Sequence, residues 1–301
     1  MKLPTRRLPA LLGIVALVAA ACGGGASTAP TSAASAAPSG EAMASPVPGG
    51  LLDKVLKAGK LVVSTDPNYA PQSFLNPDGT FVGFDIDVAK EIGKRLGVSV
   101  EFVTPGWDVI TAGSWAGRWD ISVGSMTITT ARQQILSFSD AYYYTPAQMT
   151  ATTASGITTL EGLAGKTVCV GSATTYQDWI EGNLTSVSLG TTATPPAGMV
   201  AKPLETDQDC AQAIAAGQNV GDGFLSSSTT VDAAIQNGTP IVKVGNPVFI
   251  EQLAASADKS GPDPTDFTSE VSKIIDDMHA DGTLTQLSMT WFQMDLTKPP
   301  A

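Results

Sequence analysis

From Leu51 onward the apolar residues switch repeatedly between a helical and a strand period, and this restricts the fold more than any other feature of the chain. Leu51 to Ala58 has a helical period and stops at Gly59. Lys60 to Ser64 reads as a short strand. Phe84 to Leu96 puts Ile86, Ala89, Ile92 and Leu96 on one side of a helix that Gly97 ends. Val98 to Val103 reads as a strand, Val109 to Ala116 as a short helix closed by Gly117, and Asp120 to Val123 as a buried strand. Asn76 to Thr80 carries a Pro-Asp-Gly turn. The strand–helix order predicts an α/β fold, a parallel sheet covered by helices.

A second unit begins near Ala151. It offers strands at Thr167 to Val170, Met199 to Pro203, Gly223 to Leu225 and Pro240 to Val244. Between them lie helices at Tyr176 to Glu181, Asp207 to Gly217 and Thr229 to Gly238. Gly245-Asn246-Pro247 breaks the pattern. Thr265 to Gly282 and Leu284 to Phe292 are the last predicted helices, the first with Val271, Ile274, Ile275 and Met278 apolar.

Before Leu51 the chain is of another kind. Lys2, Arg6 and Arg7 precede an apolar run, Leu8 to Ala21, too short to favour a membrane span. Residues 1–21 read as a secretory signal. Small residues before a lone Cys22 and three glycines resemble a bacterial lipobox, which implies cleavage before Cys22 and lipid on its sulfur. Residues 22–50 would then be the lipidated cysteine and a flexible tether. Gly23 to Gly50 is Gly, Ala, Ser, Thr and Pro with Glu41 its only charge, a composition that cannot offset its ordering entropy. Its r.m.s. span as a coil is about 30 Å.

The chain carries 17 basic and 28 acidic residues, net −11; without the three signal cations the balance is 14 against 28. That argues against a nucleic-acid partner, which needs basic patches. Outside the cytoplasm Cys169 and Cys210 are expected to form a disulfide, the alternative being two buried thiols.

Three segments follow in fixed order: Thr65-Asp66-Pro67-Asn68-Tyr69-Ala70-Pro71, Gly83 to Gly97, and Gly124 to Arg132. They would bring an acid, an aromatic ring, hydroxyls and Arg132 around one polar cleft, which suits a small zwitterion. With Trp107-Asp108, Phe138-Ser139-Asp140, Tyr142-Tyr143 and Ala280-Asp281-Gly282-Thr283-Leu284 before Trp291-Phe292, these segments are collinear over residues 51–297. In this they resemble the bacterial extracellular solute-binding proteins, family 3, of polar amino-acid ABC importers. The resemblance implies a type II periplasmic-binding-protein fold, two α/β lobes joined by a two-strand hinge. Lobe 1 would be 51–147 plus 248–297 and lobe 2 would be 152–244. The crossings would be Ala147 to Ala151 and Gly245 to Val248, with ligand between the lobes.

The resemblance also implies roles. Arg132 matches the arginine that holds a ligand α-carboxylate, a planar fork that lysine cannot imitate. Thr127 and Ser125, two apart in an extended segment and so on one face, match positions that contact ligand. Asp66 would accept from an amine or orient its loop, and Tyr69 and Trp107 would supply aromatic walls. Thr175, in Ala173-Thr174-Thr175, matches a second carboxylate ligand; Ala173 stands where the family has glycine. Ser227 falls where relatives commonly carry an aspartate for the ammonium, so the carboxylate end of the ligand is better supported than the ammonium end. Trp115, Trp119, Trp179 and Trp291 read as packing, and Asp85 and Asp87 as acids at a helix start.

The chain shows no metal spacing, no Gly-x-Ser-x-Gly elbow and no phosphate loop, and its one histidine, His279, does not look like a base. The expectation is a binding protein without enzymatic activity or cofactor. It would be a monomer, anchored outside the membrane by lipid, that delivers an amino acid or related carboxylate to a permease. A sensor serving a membrane receptor and a dehydratase on the same fold are the alternatives.

Overall fold

The first helix, α1 (Leu51–Ala58), buries Leu51, Leu52 and Val55 and stops at Gly59, whose φ of 62° is a left-handed value that glycine adopts without a Cβ clash. The computed structural model describes residues 45–185 and 192–299. The expected signal peptide, Cys22 and most of the expected tether lie outside the described residues. The tether was expected to run to residue 50, but the chain is already fixed at Val47. The Val47 N–H donates to Asp266 (2.9 Å) and that of Gly49 to Asp53 (2.9 Å). Two acids in the first turns of helices thus capture the last tether residues.

Next come β1 (Lys60–Ser64) and three very short strands, β2 (Asn68–Tyr69), β3 (Ser73–Leu75) and β4 (Phe81–Val82), which form a small antiparallel sheet of their own. Then follow α2 (Phe84–Leu96), β5 (Ser99–Val103) and α3 (Trp107–Thr111). The helix expected at 109–116 begins earlier and ends sooner. Asp258 takes the backbone N–H groups of Ser114 (3.2 Å) and Trp115 (2.6 Å), and Ser114 and Ala116 sit at left-handed φ of 57° and 53°. After β6 (Ile121–Thr127) and α4 (Thr130–Ile135) comes β7 (Leu136–Thr152), the longest strand described at 17 residues.

The second lobe holds β8 (Thr167–Gly171), α5 (Thr175–Glu181), β9 (Val200–Leu204), α6 (Asp207–Ala215), β10 (Gly223–Ser227), α7 (Ser228–Gln236) and β11 (Ile241–Lys243). The chain then returns through β12 (Phe249–Asp258), α8 (Thr265–Ala280) and α9 (Thr283–Phe292).

One sheet runs through both lobes in the order β5-β1-β6-β12-β7-β10-β8-β9, with β11 also on β7. The neighbours of β1 and of β8 are parallel, as the strand–helix alternation predicts. Ala147 to Ala151, expected to be a crossover strand, is paired backbone within β7, with Phe249 opposite Ala147 on one side and Ser227 to Gly223 opposite Ala147 to Ala151 on the other. The return passes Gly245 at φ 67° and rejoins β7 where the Val248 N–H donates to the Ala147 carbonyl (2.8 Å).

Each lobe has its own core. Phe84, Tyr142, Tyr143 and Phe292 cluster in the first, with Phe84 and Phe292 ring centroids 4.8 Å apart. Trp115 and Trp119 pack on each other beside it. Trp179, Tyr176 and Phe249 fill the second. There Cys169 on β8 and Cys210 on α6 are joined as a disulfide, Cα–Cα 5.7 Å. Trp291 is only partly buried and packs edge-on against Phe74.

Candidate functional site

The parallel strands of both lobes point their carboxyl ends at one cleft, where open α/β sheets place their ligands. Asp66 follows β1, Trp107 opens α3 after β5, and Ser125 and Thr127 end β6. From the second lobe Thr175 opens α5 after β8, and Asp207 opens α6 after β9. Arg132 is set by the start of α4, where the Thr129 hydroxyl accepts from its N–H (3.1 Å).

The lobes touch across this cleft. Gln72 Nε2 donates to Ser227 Oγ (3.1 Å) and Thr229 Oγ1 (2.7 Å), the Tyr69 hydroxyl to Ser227 Oγ (3.2 Å), and Asn68 Nδ2 to Thr206 Oγ1 (3.2 Å). The Ala173 carbonyl accepts from both Trp107 Nε1 (3.2 Å) and Arg132 Nη2 (3.1 Å). Ala173 sits at a left-handed φ of 58°, so a glycine-like turn persists although the residue is alanine. The arrangement is closed, with a cavity of about 40 Å³ between the lobes and a second of about 290 Å³ beside it that shares Asp66, Trp107, Glu205 and Thr206.

Arg132 is buried, 7 % exposed, and lies over the Trp107 ring at 5.5 Å. Its Nη1 donates to the Thr127 carbonyl (3.0 Å). With Ala173 this fixes the plane of the guanidinium and leaves its remaining N–H donors for an anion. Burial lowers its pKa, and Asp178 and then Glu251 oppose that.

Acids dominate the rest of the wall. Glu251 on β12, 2 % exposed, accepts from the hydroxyls of Thr127 (2.6 Å), Thr175 (2.7 Å), Tyr176 (2.7 Å) and Thr145 (3.3 Å). Asp207 accepts from the Gly171 N–H (2.6 Å) and the Ser226 hydroxyl (2.8 Å), and burial pushes its carboxyl up to about 7. Burial likewise lifts Asp66 to about 6, although the Asn68 N–H bonds it (2.7 Å). Behind the wall Asp85 accepts from Ser125 Oγ (2.7 Å) and the Tyr142 hydroxyl (2.8 Å), and burial raises it to about 7.

Asp66, Tyr69, Trp107, Ser125, Thr127, Arg132 and Thr175 all line the smaller cavity. Ser227 does not line it. It is the N-cap of α7, and its hydroxyl is shared among Tyr69, Gln72, Thr229 and Thr230. Ser125 and Thr127 do not share a face in the simple sense. Ser125 has a left-handed φ of 55°, and its hydroxyl turns to Asp85 and Tyr143 while Thr127 reaches Glu251. Asp85 is in the first turn of α2, as expected, and is also a buried partner of the site.

Sequence reasoning missed Glu251, Asp207, Glu205 and Tyr176. Glu251 left a signal, for it is the lone charge between Lys243 and Asp258 in a largely apolar stretch. Asp207 follows Thr206, which with Asp209 makes a capping box. That motif marks the helix start but not the direction the next side chain takes.

Residues 61–294 match the family described as Bacterial extracellular solute-binding proteins, family 3. The chain belongs to this family. As a family 3 solute-binding protein it is 29 % identical over 251 residues to the L-cystine-binding protein TcyJ of Escherichia coli K12, covering 83 % of this chain and 88 % of that one. It is 30 % identical over 240 residues to the histidine-binding periplasmic protein of the same strain, covering 78 % and 88 %. Among solved structures it resembles an ancestral arginine-binding protein bound to arginine, with 27 % identity, a TM-score of 0.66, and coverage of 78 % of this chain and 98 % of that one. These family 3 relatives are binding proteins, and the fold is the type II periplasmic-binding-protein arrangement of two α/β lobes and a two-strand hinge. Among the described residues of this family 3 protein no helix is long and apolar enough to cross a membrane.

Proposed function

We propose that this chain captures an amino acid, or a closely related small carboxylate, between its lobes and passes it to the permease of an ABC importer. The observation that carries this reading is Arg132. It is a buried guanidinium at the wall of an inter-lobe cavity, held flat by two carbonyls, with the Thr127 and Thr175 hydroxyls on the same wall. That is a receptor for a carboxylate. The ligands in the relatives' names, cystine, histidine and arginine, are all amino acids.

The domain assignment that goes with this reading is lobe 1 at 51–147 plus 248–297 and lobe 2 at 152–244. The working place is outside the cytoplasmic membrane, with Cys22 lipidated and residues 22–50 as the tether. We read the protein as a binder and not an enzyme, since the cavity acids Asp207 and Glu251 are each committed to hydrogen bonds.

A thermal-shift screen against L-amino acids, followed by titration calorimetry, tests the reading, because ligand bound to the folded form alone raises its stability. Arg132→Ala is expected to weaken binding by about 100-fold, the loss of two charge-assisted bonds. Undiminished affinity in that variant would overturn the assignment.

A further inference from the structure

Gln72 is fully buried, yet it lines neither cavity of the cleft. Its backbone is held by the first lobe. The Gln72 carbonyl accepts from the Asp85 N–H (2.9 Å) and the Pro71 carbonyl from the Phe84 N–H (3.3 Å), both at the start of α2. Gly83, at a φ of 129°, admits this close approach, since a Cβ there would overlap the Gln72 carbonyl. The side chain ends elsewhere. Its Nε2 donates to Ser227 and Thr229, the N-cap and first turn of α7, 155 and 157 residues further along the chain.

Ser227 and Thr229 are buried as well and also line neither cavity. On the lobe assignment proposed above, the two lobes are thus joined through groups outside the solute space. The Tyr69 hydroxyl, which donates to the same Ser227 Oγ, links this contact to the cavity wall. Gln72 Oε1 has no hydrogen-bond partner among the described residues. Closure therefore sets two bonds gained at Nε2 against one carbonyl buried, and parting the lobes about their hinge returns the whole amide to water.

We propose that Gln72 is a positioning residue for capture: with Ser227 and Thr229 it forms a clasp that closes the lobes without touching solute. The clasp sets how tightly every solute is held and not which solute is chosen. An apparent dissociation constant is the intrinsic one divided by the fraction of chains that are binding-competent. Weakening the clasp lowers the closed fraction and raises every apparent constant by one common factor. Residues on the cavity wall, such as Arg132, act differently, because their effect depends on the group they meet. The inference rests on the reading above insofar as solute is captured between the lobes.

Two measurements on the full chain test it, with Gln72→Ala, Thr229→Val and the double variant. The first needs no solute. Trp107 donates across the cleft to the Ala173 carbonyl, so in protein made with 5-fluorotryptophan its 19F line reports closure. That line is assigned by its loss in Trp107→Phe. Each single variant should lower the closed population at least about threefold, and the double variant should go no further than the larger single, because the groups act as one. A line unmoved in both single variants overturns the inference. The second measurement is titration calorimetry with L-glutamine, L-histidine and L-arginine. For each that the wild type binds, Thr229→Val should weaken binding about tenfold, by factors that agree within about threefold whatever the side chain. Factors further apart would make the clasp a solute contact and overturn the inference. If none of the three binds while the 19F line still moves, the clasp stands and the amino-acid reading falls. If they bind with unchanged affinity in both single variants, the clasp falls and that reading stands. The Tm of Thr229→Val should lie within about 5 °C of the wild type, and a larger fall would make these bonds part of a lobe's core and overturn the inference.

Discussion

Ala173 shows how a single residue can be held against its preference. A left-handed φ costs a Cβ-bearing residue about 1–2 kcal/mol, yet the Ala173 carbonyl must face both Arg132 and Trp107 to close the cleft. Ala173→Gly should relieve the clash and lose part of the gain to unfolded-chain entropy. The expected outcome is a Tm about 1–3 °C higher with the closed contacts kept, read by calorimetry. An unchanged or lower Tm would mean the turn is not strained. At this scale the cavity was partly legible. Arg132, Thr127 and Asp66 lie in segments whose order and chemistry announce a site. Glu251 does not, because a strand pattern says which positions are inward but not that an inward acid will meet four hydroxyls from two lobes. Ser125 was misjudged for a local reason, its left-handed backbone, which period-2 reasoning excludes by construction.

At the scale of elements the alternation of periods was a good guide wherever a strand or helix had one face to bury. Phe84–Leu96 and Lys60–Ser64 stand where the sequence places them. The strands β7 and β12, apart from the expected crossing at Ala147 to Ala151, escaped because they mix Ser, Thr, Tyr and Gln with apolar residues, so no period survives. The small sheet of β2, β3 and β4 escaped because two or three residues carry no period at all. The disulfide between β8 and α6 is an element-scale staple. The sequence separation it closes is 41 residues, for which the chain-entropy account gives about 4 kcal/mol. Replacing both cysteines by alanine should lower the Tm by about 10 °C, seen equally when the wild type is reduced. A change under about 2 °C would show that the bond constrains little that packing does not already fix.

For the molecule as a whole the cleft acids set a pH dependence with a definite sign. Asp66, Asp85 and Asp207 are raised to about 6, 7 and 7, above the usual aspartate value, so between about pH 4 and 7 the folded chain binds more protons than the unfolded one. Stability without ligand should therefore rise as pH falls from 8 to 5, a Tm increase of several degrees. Below about pH 4 that gain is complete and the exposed acids with lowered pKa, such as Asp53 and Asp263, reverse the trend. A Tm that falls steadily from pH 8 to 5 would contradict this account of the buried acids. The sheet order has a consequence of a different kind, for the sequence in which the molecule is put together. On the lobe assignment proposed above, the second lobe is one uninterrupted stretch inserted into the first, whereas β12 lies between β6 and β7 in the sheet. Until residues 249–258 arrive, β6 and the first half of β7 lack a shared neighbour, and loop closure over a hundred or so residues is needed to bring it. The inserted lobe is thus free to consolidate early and the outer one must wait for its keystone. Pulse-labelled hydrogen exchange during refolding should show amides of β8 and β10 protected before those of β6, and the opposite order would refute this. A nascent or truncated chain stopped before Phe249 would expose two unpaired strand edges, and aggregation through those edges is the hazard such a topology carries.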